Sequence, residues 1–314
     1  MSKYHLSMIL SESNLFKLIP MYVSLENTCS DFKLFILCMN DSVYHILKKI
    51  GFKNIILVQL KELEENNHYL VLAKSNRSFH EYCWTLKPIF LNYVINKYNN
   101  AKYYAHVDAD LFFFSDLEYI FNENLEASIF LTDHRNSEEF KVYYELSGLY
   151  NTGFVGFKNN NEGKAAVSLW GKRCLKKCTI DYDIVNKTFG DQRYVEDWPK
   201  VFKNVHIVNS IGANAALWNI KNYKVSKKDS VVYLDDSPLI FYHFSGVMLL
   251  GTKEFELCPY YHIDDENLIN YIYDPYVRWL AQSIENVIRE FPWFNAGFID
   301  KSYIESLNNY KIKK

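Results

Sequence analysis

The chain has 314 residues with 35 Lys and Arg against 37 Asp and Glu, which gives a formal net charge of −2. That balance argues against a dedicated nucleic-acid-binding protein, because such proteins carry an excess of basic residues. With 49% hydrophobic and 23% charged residues, the composition also excludes a disordered chain. We find no uninterrupted apolar run of about 18 residues, so the sequence predicts no membrane-spanning helix.

The termini and the cysteines bear on the cellular compartment. Ser11 and Glu12 interrupt the first apolar run too early for a signal peptide, so we expect no secretion signal. The cysteines form no CxxC pair and lack nearby partner ligands for zinc, so we expect reduced thiols in a cytoplasmic protein. Lys311, Lys313 and Lys314 leave two interpretations open, a frayed tail or peripheral contact with the inner face of the membrane.

The first half of the chain alternates short apolar runs with helical segments. Continuous apolar runs are typical of parallel strands covered on both faces, and we predict four of them: Tyr4–Leu10, Phe32–Met39, Asn54–Leu60 and Ala101–Val107. Helices are predicted at Leu15–Cys29, at a segment capped by Ser42 and ended by Gly51, and at Trp84–Tyr98. Pro20 fits the first helix only near its first turn. Residues 61–82 are assigned to loop with some helix.

The second half continues the alternation and ends in helical sequence. Strands are predicted at Ala127–Thr132 and Gly153–Phe157, a helix at residues 162–178, and an apolar strand at Pro238–Phe244. From Asp274 onward we predict helices with one apolar stripe, formed by Trp279, Ile284, Val287, Ile288 and Phe291. The pattern indicates an α/β sheet with right-handed crossovers. We assign residues 1–255 to a catalytic domain and residues 256–314 to a C-terminal helical extension.

The strongest chemical signal is the motif Asp108-Ala109-Asp110, which follows directly on the apolar strand Ala101–Val107. In an open α/β sheet, this edge is where ligands bind. Two carboxylates beside three Phe residues need a partner, and a divalent cation such as Mg²⁺ or Mn²⁺ supplies one while also binding phosphate oxygens. Two Asp residues in a solvated turn remain the alternative.

A second signal is His243, at the end of an apolar strand and followed by Ser245 and Gly246. A lone His among aromatic residues is commonly a satisfied core histidine. If the chain folds back, its imidazole could instead be a third protein ligand of the metal. The open positions of that metal would then take a diphosphate.

Two further motifs combine polar residues with Gly. Asn151 and Gly153 open a strand, where Gly permits close approach of the backbone to a ligand, and a plain turn is the alternative. Asp191 and Gln192 follow Gly190 at a predicted helix start, where an ordinary N-cap is the alternative.

In order, the four motifs are a DxD after a strand, (F/Y)NxG before a strand, DQ, and a late His-x-x-Gly. Together they resemble the GT-A-fold nucleotide-sugar-dependent glycosyltransferases, in particular retaining glycosyltransferase family eight and its relatives. They cover roughly residues 4–250. The resemblance implies a Rossmann-like, mixed and mainly parallel sheet. It also implies a nucleotide-sugar donor, usually UDP-linked, and a glycan or glycoconjugate acceptor, with no nucleic-acid partner.

The resemblance assigns roles to individual residues. It implies Mn²⁺, or Mg²⁺, held by Asp108, Asp110 and His243 against the donor diphosphate. The other donor-binding positions that it implies are Lys87, Asp133, Gly153, Ser245 and Gly246.

The catalytic roles are implied in the same way. Asn151 matches a position that contacts the donor sugar, and Asp191 and Gln192 match positions beside the anomeric carbon. The Gln192 carbonyl would stabilise an oxocarbenium-like transition state, while Asp191 would orient the sugar. With no obvious protein nucleophile, we expect front-face attack by the acceptor hydroxyl and retention of configuration.

Two alternatives to a glycosyltransferase remain. Leu249 stands where the family's late motif has a Lys, although Lys253 lies near in sequence, and this keeps open a non-enzymatic protein that binds sugar nucleotides or glycans. A haloacid-dehalogenase-like phosphatase also uses Asp-x-Asp after a strand. There a Thr or Val usually stands where this chain has Phe112, and the motif lies near the start of the chain.

Overall fold

A computed structural model of the protein describes residues 2–65, 67–183 and 185–312, and the chain divides into two compact units. The first unit is drawn from Met1–Leu10, Asp31–Asp108 and Glu118–Asn209. The second unit is drawn from Ser11–Ser30, Ala109–Leu117 and Ser210–Lys314.

The first unit is built around a seven-stranded sheet. Its strands are Tyr4–Leu10 (β1), Phe32–Cys38 (β2), Ile55–Gln59 (β3), Tyr103–Val107 (β4), Ile129–Asp133 (β5), Tyr150–Lys158 (β6) and Val205–Ile207 (β7). Their order across the sheet is β3-β2-β1-β4-β6-β5-β7. Four of the six pairings are parallel, whereas β6 runs antiparallel to both β4 and β5. The predicted α/β fold with a mixed, mainly parallel sheet is therefore confirmed.

Burial explains the composition of these strands. β1 and β4 are buried along almost their whole length, as expected of central strands with helices on both faces. The α-helices of the first unit are Asp41–Ile50, Leu60–Glu64, His68–Ser75, Phe79–Lys97, Glu118–Phe121, Tyr144–Ser147, Asn161–Lys176 and Trp198–Val201. Residues 61–82, predicted as loop with some helix, are thus mostly helical.

Local capping corrects two predicted helix starts. The N-cap of the Asp41–Ile50 helix is Asn40 and not Ser42, because the Asn40 side chain accepts from the backbone of Val43 at 3.1 Å. The helix predicted from Trp84 begins earlier, at Phe79, where Ser78 and Glu81 form a reciprocal capping box. Gly51 ends the Asp41–Ile50 helix as predicted, with a left-handed φ of 72°.

Pro20 lies well inside the Leu15–Thr28 helix of the second unit, and the prediction that it needs the first turn is wrong. Proline has no N–H, so it leaves the carbonyl of Phe16 without its usual helical donor. The hydroxyl of Ser283 donates to that carbonyl at 2.8 Å and is itself fully buried. Ser283, on a helix distant in sequence, thus supplies the hydrogen-bond donor that Pro20 lacks.

The second unit contains small sheets and two long helices, Leu15–Thr28 and Asp274–Glu290, which pack against each other. In one sheet, Phe241–His243 lies between Leu111–Phe113 and Ala215–Ala216. The strand predicted at Pro238–Phe244 is therefore shorter than expected. The other two sheets contain Val225–Lys228, Val231–Leu234 and Ser237–Pro238, and Met248–Gly251, Glu254–Glu256 and Asn309–Lys311.

The C-terminal part is not wholly helical. After the Asp274–Glu290 helix, the last strand of the described residues, Asn309–Lys311, pairs with Glu254–Glu256. Trp279 is 40% exposed and does not belong to the buried stripe, whereas Leu280, Ile284 and Val287 do. Two of the lysines considered for membrane contact, Lys313 and Lys314, lie outside the described residues. The helices of the described part are all too short or too polar to cross a bilayer.

Candidate metal and donor site

Asp108 follows β4 directly, and its carboxylate lies close to side-chain nitrogen atoms of Lys87 and His106. The backbone N–H of Asp108 donates to the carbonyl of Gly153 at 2.8 Å, which fixes the main chain at the end of the strand. The Lys87 ammonium lies 2.9 Å from one carboxylate oxygen and 3.0 Å from the other. His106 Nε2 lies 3.0 Å from Asp108 Oδ1. Burial lowers the pKa of His106, so its ring is neutral at pH 7 and Lys87 supplies the positive charge.

Asp110 belongs to the second unit, where strand pairing brings His243 to it. Leu111 is the register partner of His243, and the N–H of Phe244 donates to the carbonyl of Asp110 at 2.8 Å. As a result, His243 Nε2 lies 3.1 Å from Asp110 Oδ1. The ammonium of Lys17, from the Leu15–Thr28 helix, lies 3.7 Å from Asp110 Oδ2.

The buried ring of His243 is not satisfied as a core histidine would be. Its Nδ1 makes no hydrogen bond with any residue in the described part of the chain. The ring also packs edge-on against Trp218, with ring centroids 5.3 Å apart. Among the described residues, the polar partner of the ring is the Asp110 carboxylate, through Nε2.

Asp108, Asp110 and His243 can offer one ligand atom each within 4.8 Å of one another. Two ligand atoms on opposite sides of a metal ion, each bonded to it at about 2.1 Å, are nearly as far apart as these atoms are. Small side-chain movements would therefore bring all three ligand atoms to one ion. Carboxylate and imidazole groups are both common ligands of divalent metal ions in proteins. The three residues therefore fit a divalent cation, and together they form a candidate metal site.

The motif containing Asn151 and Gly153 lies at the start of β6, beside Asp108. Asn151 is 8% exposed, and its side-chain oxygen accepts from the N–H of Gly153 at 2.8 Å. Its amide nitrogen lies 3.3 Å from Nε2 of His134, so the orientation of the amide is held at both ends. Asp133, at the end of β5, accepts from the N–H of Arg135 at 2.8 Å.

Asp191 is 3% exposed, and its carboxylate accepts a hydrogen bond from the hydroxyl of Thr152 at 2.8 Å. The Trp170 indole donates to the backbone carbonyl of Asp191 at 2.9 Å. Burial raises the pKa of Asp191, and the charge of Lys87 opposes that shift. The amide of Gln192 donates to the carbonyl of Ser147 at 2.9 Å, which fixes the side chain and sets the direction of its own carbonyl.

The late motif is only partly open to a ligand. Ser245 is exposed, whereas Gly246 is buried, and a Cβ there would approach Leu217 to 2.7 Å. Leu249 is 1% exposed and pairs with Phe255 in a strand, so no cation comes from that position. Lys253 forms an ion pair with Glu285 at 2.8 Å.

Sequence reasoning missed four residues of this site: Lys17, His106, Thr152 and Trp170. His106 lies two residues before Asp108, and Thr152 lies between Asn151 and Gly153. In a strand, residues two apart point to the same face, and this spacing was the signal available for His106. Lys17 and Trp170 lie on helices whose local sequence carries no hint of a carboxylate partner or of Asp191. Only long-range packing brings them to the site.

Comparison with known proteins gives relatives and a fold. The chain is 53% identical to the uncharacterized protein YfnD of Bacillus subtilis (strain 168), covering 96% of each chain. It is 33% identical to YfnF of the same organism, also uncharacterized, over 93% of this chain and 96% of YfnF. No family model matches the chain.

Among solved structures, the galactosyltransferase LgtC in complex with donor and acceptor sugar analogues superposes with a TM-score of 0.54 at 9% identity. The match covers 88% of this chain and 95% of LgtC. At this identity the similarity concerns the fold alone, which is the GT-A glycosyltransferase fold that the four motifs predicted.

Proposed function

Because this chain belongs to the family of the uncharacterized Bacillus subtilis proteins YfnD and YfnF, its own site must indicate the activity, and we propose a metal-dependent glycosyltransferase. The enzyme would move a sugar from a nucleotide diphosphate sugar, UDP-linked in our proposal, to a hydroxyl of a glycan or glycoconjugate. The observation that carries this proposal is the set of Asp108, Asp110 and His243, gathered within 4.8 Å beyond the end of β4.

The charges of these residues support a site for a metal and a diphosphate together. Asp108 has Lys87 as its cation and Asp110 has Lys17, so each carboxylate is balanced. A divalent cation on the two carboxylates would leave both ammonium groups available to a donor with two negative charges on its diphosphate. When bound, Mn²⁺ or Mg²⁺ supplies Lewis-acid stabilisation of the leaving diphosphate.

The polar residues of the first unit suit the sugar end of the donor. We assign Asn151 to the donor sugar, because contacts with Gly153 and His134 hold its side-chain amide in one orientation. We assign Gln192 to the anomeric carbon, where its carbonyl dipole would stabilise positive charge in the transition state. Asp191 is a positioning residue here, since Thr152 and burial hold it inside the fold.

Retention of configuration is part of the proposal. It is supported by the resemblance to glycosyltransferase family eight and by our assignment of Gln192, a weak nucleophile, to the position beside the anomeric carbon. Front-face attack by the acceptor hydroxyl, with its proton passing to the leaving diphosphate, balances the reaction without a covalent intermediate. Asp133, Gly153, Ser245 and Gly246 complete the proposed donor site.

One observation favours a second candidate, a protein that binds sugar nucleotides without transferring the sugar. Leu249 is buried where glycosyltransferase family eight, which the motifs resemble, has a basic residue, and Lys253 forms an ion pair with Glu285. Lys17 is the residue that could replace this missing cation. Turnover of a donor therefore separates the two candidates. The GT-A fold does not favour the phosphatase alternative.

We propose that the catalytic part spans residues 1–255, and that residues 256–314 extend it. Six free thiols, five of them buried, support a reducing compartment such as the cytoplasm. Contact of the C-terminal tail with the inner face of the membrane stays a proposal.

The test is a thermal-shift and turnover screen of UDP-, GDP- and ADP-sugars, with and without Mn²⁺. We expect a metal-dependent rise in melting temperature with one donor, because a ligand that binds only the folded state stabilises it. Asp110→Asn should lower turnover roughly a hundredfold or more, since the metal contributes several kcal/mol to the transition state. Asp31→Asn, at an exposed carboxylate, is the matched control. Turnover undiminished in the Asp110 variant would refute the proposal.

A further inference from the structure

A basic cavity of about 890 Å³ lies wholly within the first unit. Its walls come from Leu149 and Tyr150 at the start of β6, the end of the Asn161–Lys176 helix, the segment 186–188 and the segment 193–200. Six of its lining residues are basic: Arg173, Lys176, Lys177, Lys187, Arg193 and Lys200. The volume lies within the range of about 300–1,000 Å³ that small-molecule sites occupy.

The cavity carries positive charge that the protein does not neutralise. Its two carboxylates are already paired, Asp197 with Arg173 at 2.7 Å and Glu196 with Arg193 at 3.1 Å. The remaining cations include Lys176, Lys187 and Lys200, which are exposed and form no ion pair with any residue that the structure describes. This concentration stands out in a chain whose net charge is −2.

Hydrogen bonds connect the wall of the cavity to the segment that contains Gln192. The Gln192 amide donates to the carbonyl of Ser147, and the N–H of Leu149 donates to Glu196 at 3.4 Å. Arg193 reaches across to the carbonyl of Tyr144 at 3.1 Å. The segment that leads into Asn151 and the segment that contains Gln192 are therefore hydrogen-bonded to each other, and both contribute residues to the cavity wall.

The donor diphosphate does not account for these cations. None of Lys87, Asp108, Asp110 and His243 lines the cavity. We propose, on the basis of the proposed glycosyltransferase function, that the cavity binds the acceptor and that this acceptor is an anionic glycan with phosphate or carboxylate groups along its chain. Lys176, Lys187 and Lys200 contact the anionic groups.

The apolar part of the lining favours a glycan over other polyanions. Tyr194 and Pro199 contribute ring surfaces on which the apolar faces of sugars can pack. A nucleic acid would follow a continuous basic groove, whereas here the cations surround one concave space. Phosphate and carboxylate groups offer the same charge to the three lysines, so the experiment has to separate them.

The experiment measures binding of four end-labelled probes by fluorescence anisotropy at two salt concentrations. The probes are hexagalacturonate, a phosphorylated maltohexaose, neutral maltohexaose and an oligonucleotide, (dT)6. We expect one of the two anionic glycans to bind wild type most tightly, with salt dependence, and thereby to identify the anionic group. The triple variant K176Q/K187Q/K200Q should lose about tenfold in affinity, because each exposed ion pair contributes modestly. The control K53Q/K61Q/K164Q, at exposed lysines outside the cavity, should stay within about twofold of wild type.

The outcomes separate this inference from the function on which it rests. Equal binding of the neutral and anionic hexaoses, preference for (dT)6, or equal losses in the two triple variants would each overturn it. None of these readouts needs donor turnover. Where turnover is found, K176Q/K187Q/K200Q should raise KM for the anionic acceptor with kcat and KM for the donor unchanged. A fall in kcat alone would contradict acceptor binding in the cavity.

Discussion

The imidazole Nε2 of His243 lies 3.1 Å from the Oδ1 of Asp110, and strand pairing is the cause. His243 is opposite Leu111 in an antiparallel pair, so its position depends on backbone hydrogen bonds and not on the flexible side chain of an exposed loop. The same ring leaves Nδ1 without a partner in the described residues, so its polar contact is with the carboxylate alone. The backbone therefore holds the imidazole of His243 beside the carboxylate of Asp110, in a position where it can serve as a metal ligand.

Substituting His243 tests its part in binding the metal. We expect His243→Gln to weaken Mn²⁺ binding by more than the roughly 10–100-fold that loss of an outer metal-site partner costs, because a direct ligand is removed. Titration of Mn²⁺ followed by electron paramagnetic resonance measures the affinity. His262→Gln is the control, since that ring is largely exposed beside Asp264. Unchanged affinity in the His243 variant would exclude it as a ligand.

Substituting Lys17 tests whether its ammonium group replaces the basic residue that is absent at position 249. We expect Lys17→Gln to weaken binding of the nucleoside diphosphate roughly tenfold or more, because a charge-assisted hydrogen bond contributes about 1.5–3 kcal/mol. Lys17→Arg keeps the charge and should recover much of the affinity. Isothermal titration with UDP and Mn²⁺ gives the numbers. If the Gln and Arg variants bind alike, the charge of Lys17 has no role in donor binding.

Removing the hydrogen bond between the Thr152 hydroxyl and the Asp191 carboxylate should destabilise the protein to an extent that depends on pH. Thr152→Val removes the hydroxyl that stabilises the buried carboxylate and should lower the free energy of unfolding by about 1–3 kcal/mol at pH 7. Burial already raises the pKa of Asp191 above 3.8, so the unfolded state releases its proton first as pH rises. Stability from this group is therefore lost as pH rises from 3.8 through the folded pKa.

The variant should accordingly differ least from wild type at acid pH, where Asp191 is protonated in both. Urea unfolding at pH 3, which lies below the pKa of Asp191 in both states, and at pH 7 measures the two differences. Thr252→Val, at an exposed turn, should be nearly neutral at both values. A penalty for Thr152→Val that is the same at both pH values would show that the charge of Asp191 is not involved.

The bond from Ser283 to the carbonyl of Phe16 allows a double-mutant cycle. Ser283→Ala should destabilise the protein by about 1–3 kcal/mol, since Pro20 gives that buried carbonyl no donor and the change leaves it unsatisfied. In a Pro20→Ala background, the new backbone N–H can reach the same carbonyl, so the cost of Ser283→Ala should shrink. Guanidinium unfolding of the four proteins gives the coupling energy. Additive losses would mean that Ser283 does not compensate for Pro20.

Local patterns in the chain were enough for six of the seven strands of the sheet, all but Val205–Ile207, and for the order of the motifs. Strands such as β1 and β4 are largely apolar because both of their faces are buried, and Gly51 supplies the left-handed conformation in which the preceding helix ends. Likewise, carboxylates directly after a buried strand can lie only at the ligand-binding edge. These features depend on neighbouring residues, so the sequence displays them.

Contacts between distant segments needed the three-dimensional structure. The pairings of Lys17 with Asp110, of Thr152 with Asp191 and of Ser283 with Phe16 have no local signature. Neither has the basic cavity, whose walls come from separate parts of the first unit. Trp279 was misplaced for the same reason, because which side of a helix is buried depends on the neighbour that packs against it. Short-range pattern reflects burial and backbone geometry, whereas charge pairing across the fold depends on how the whole chain packs.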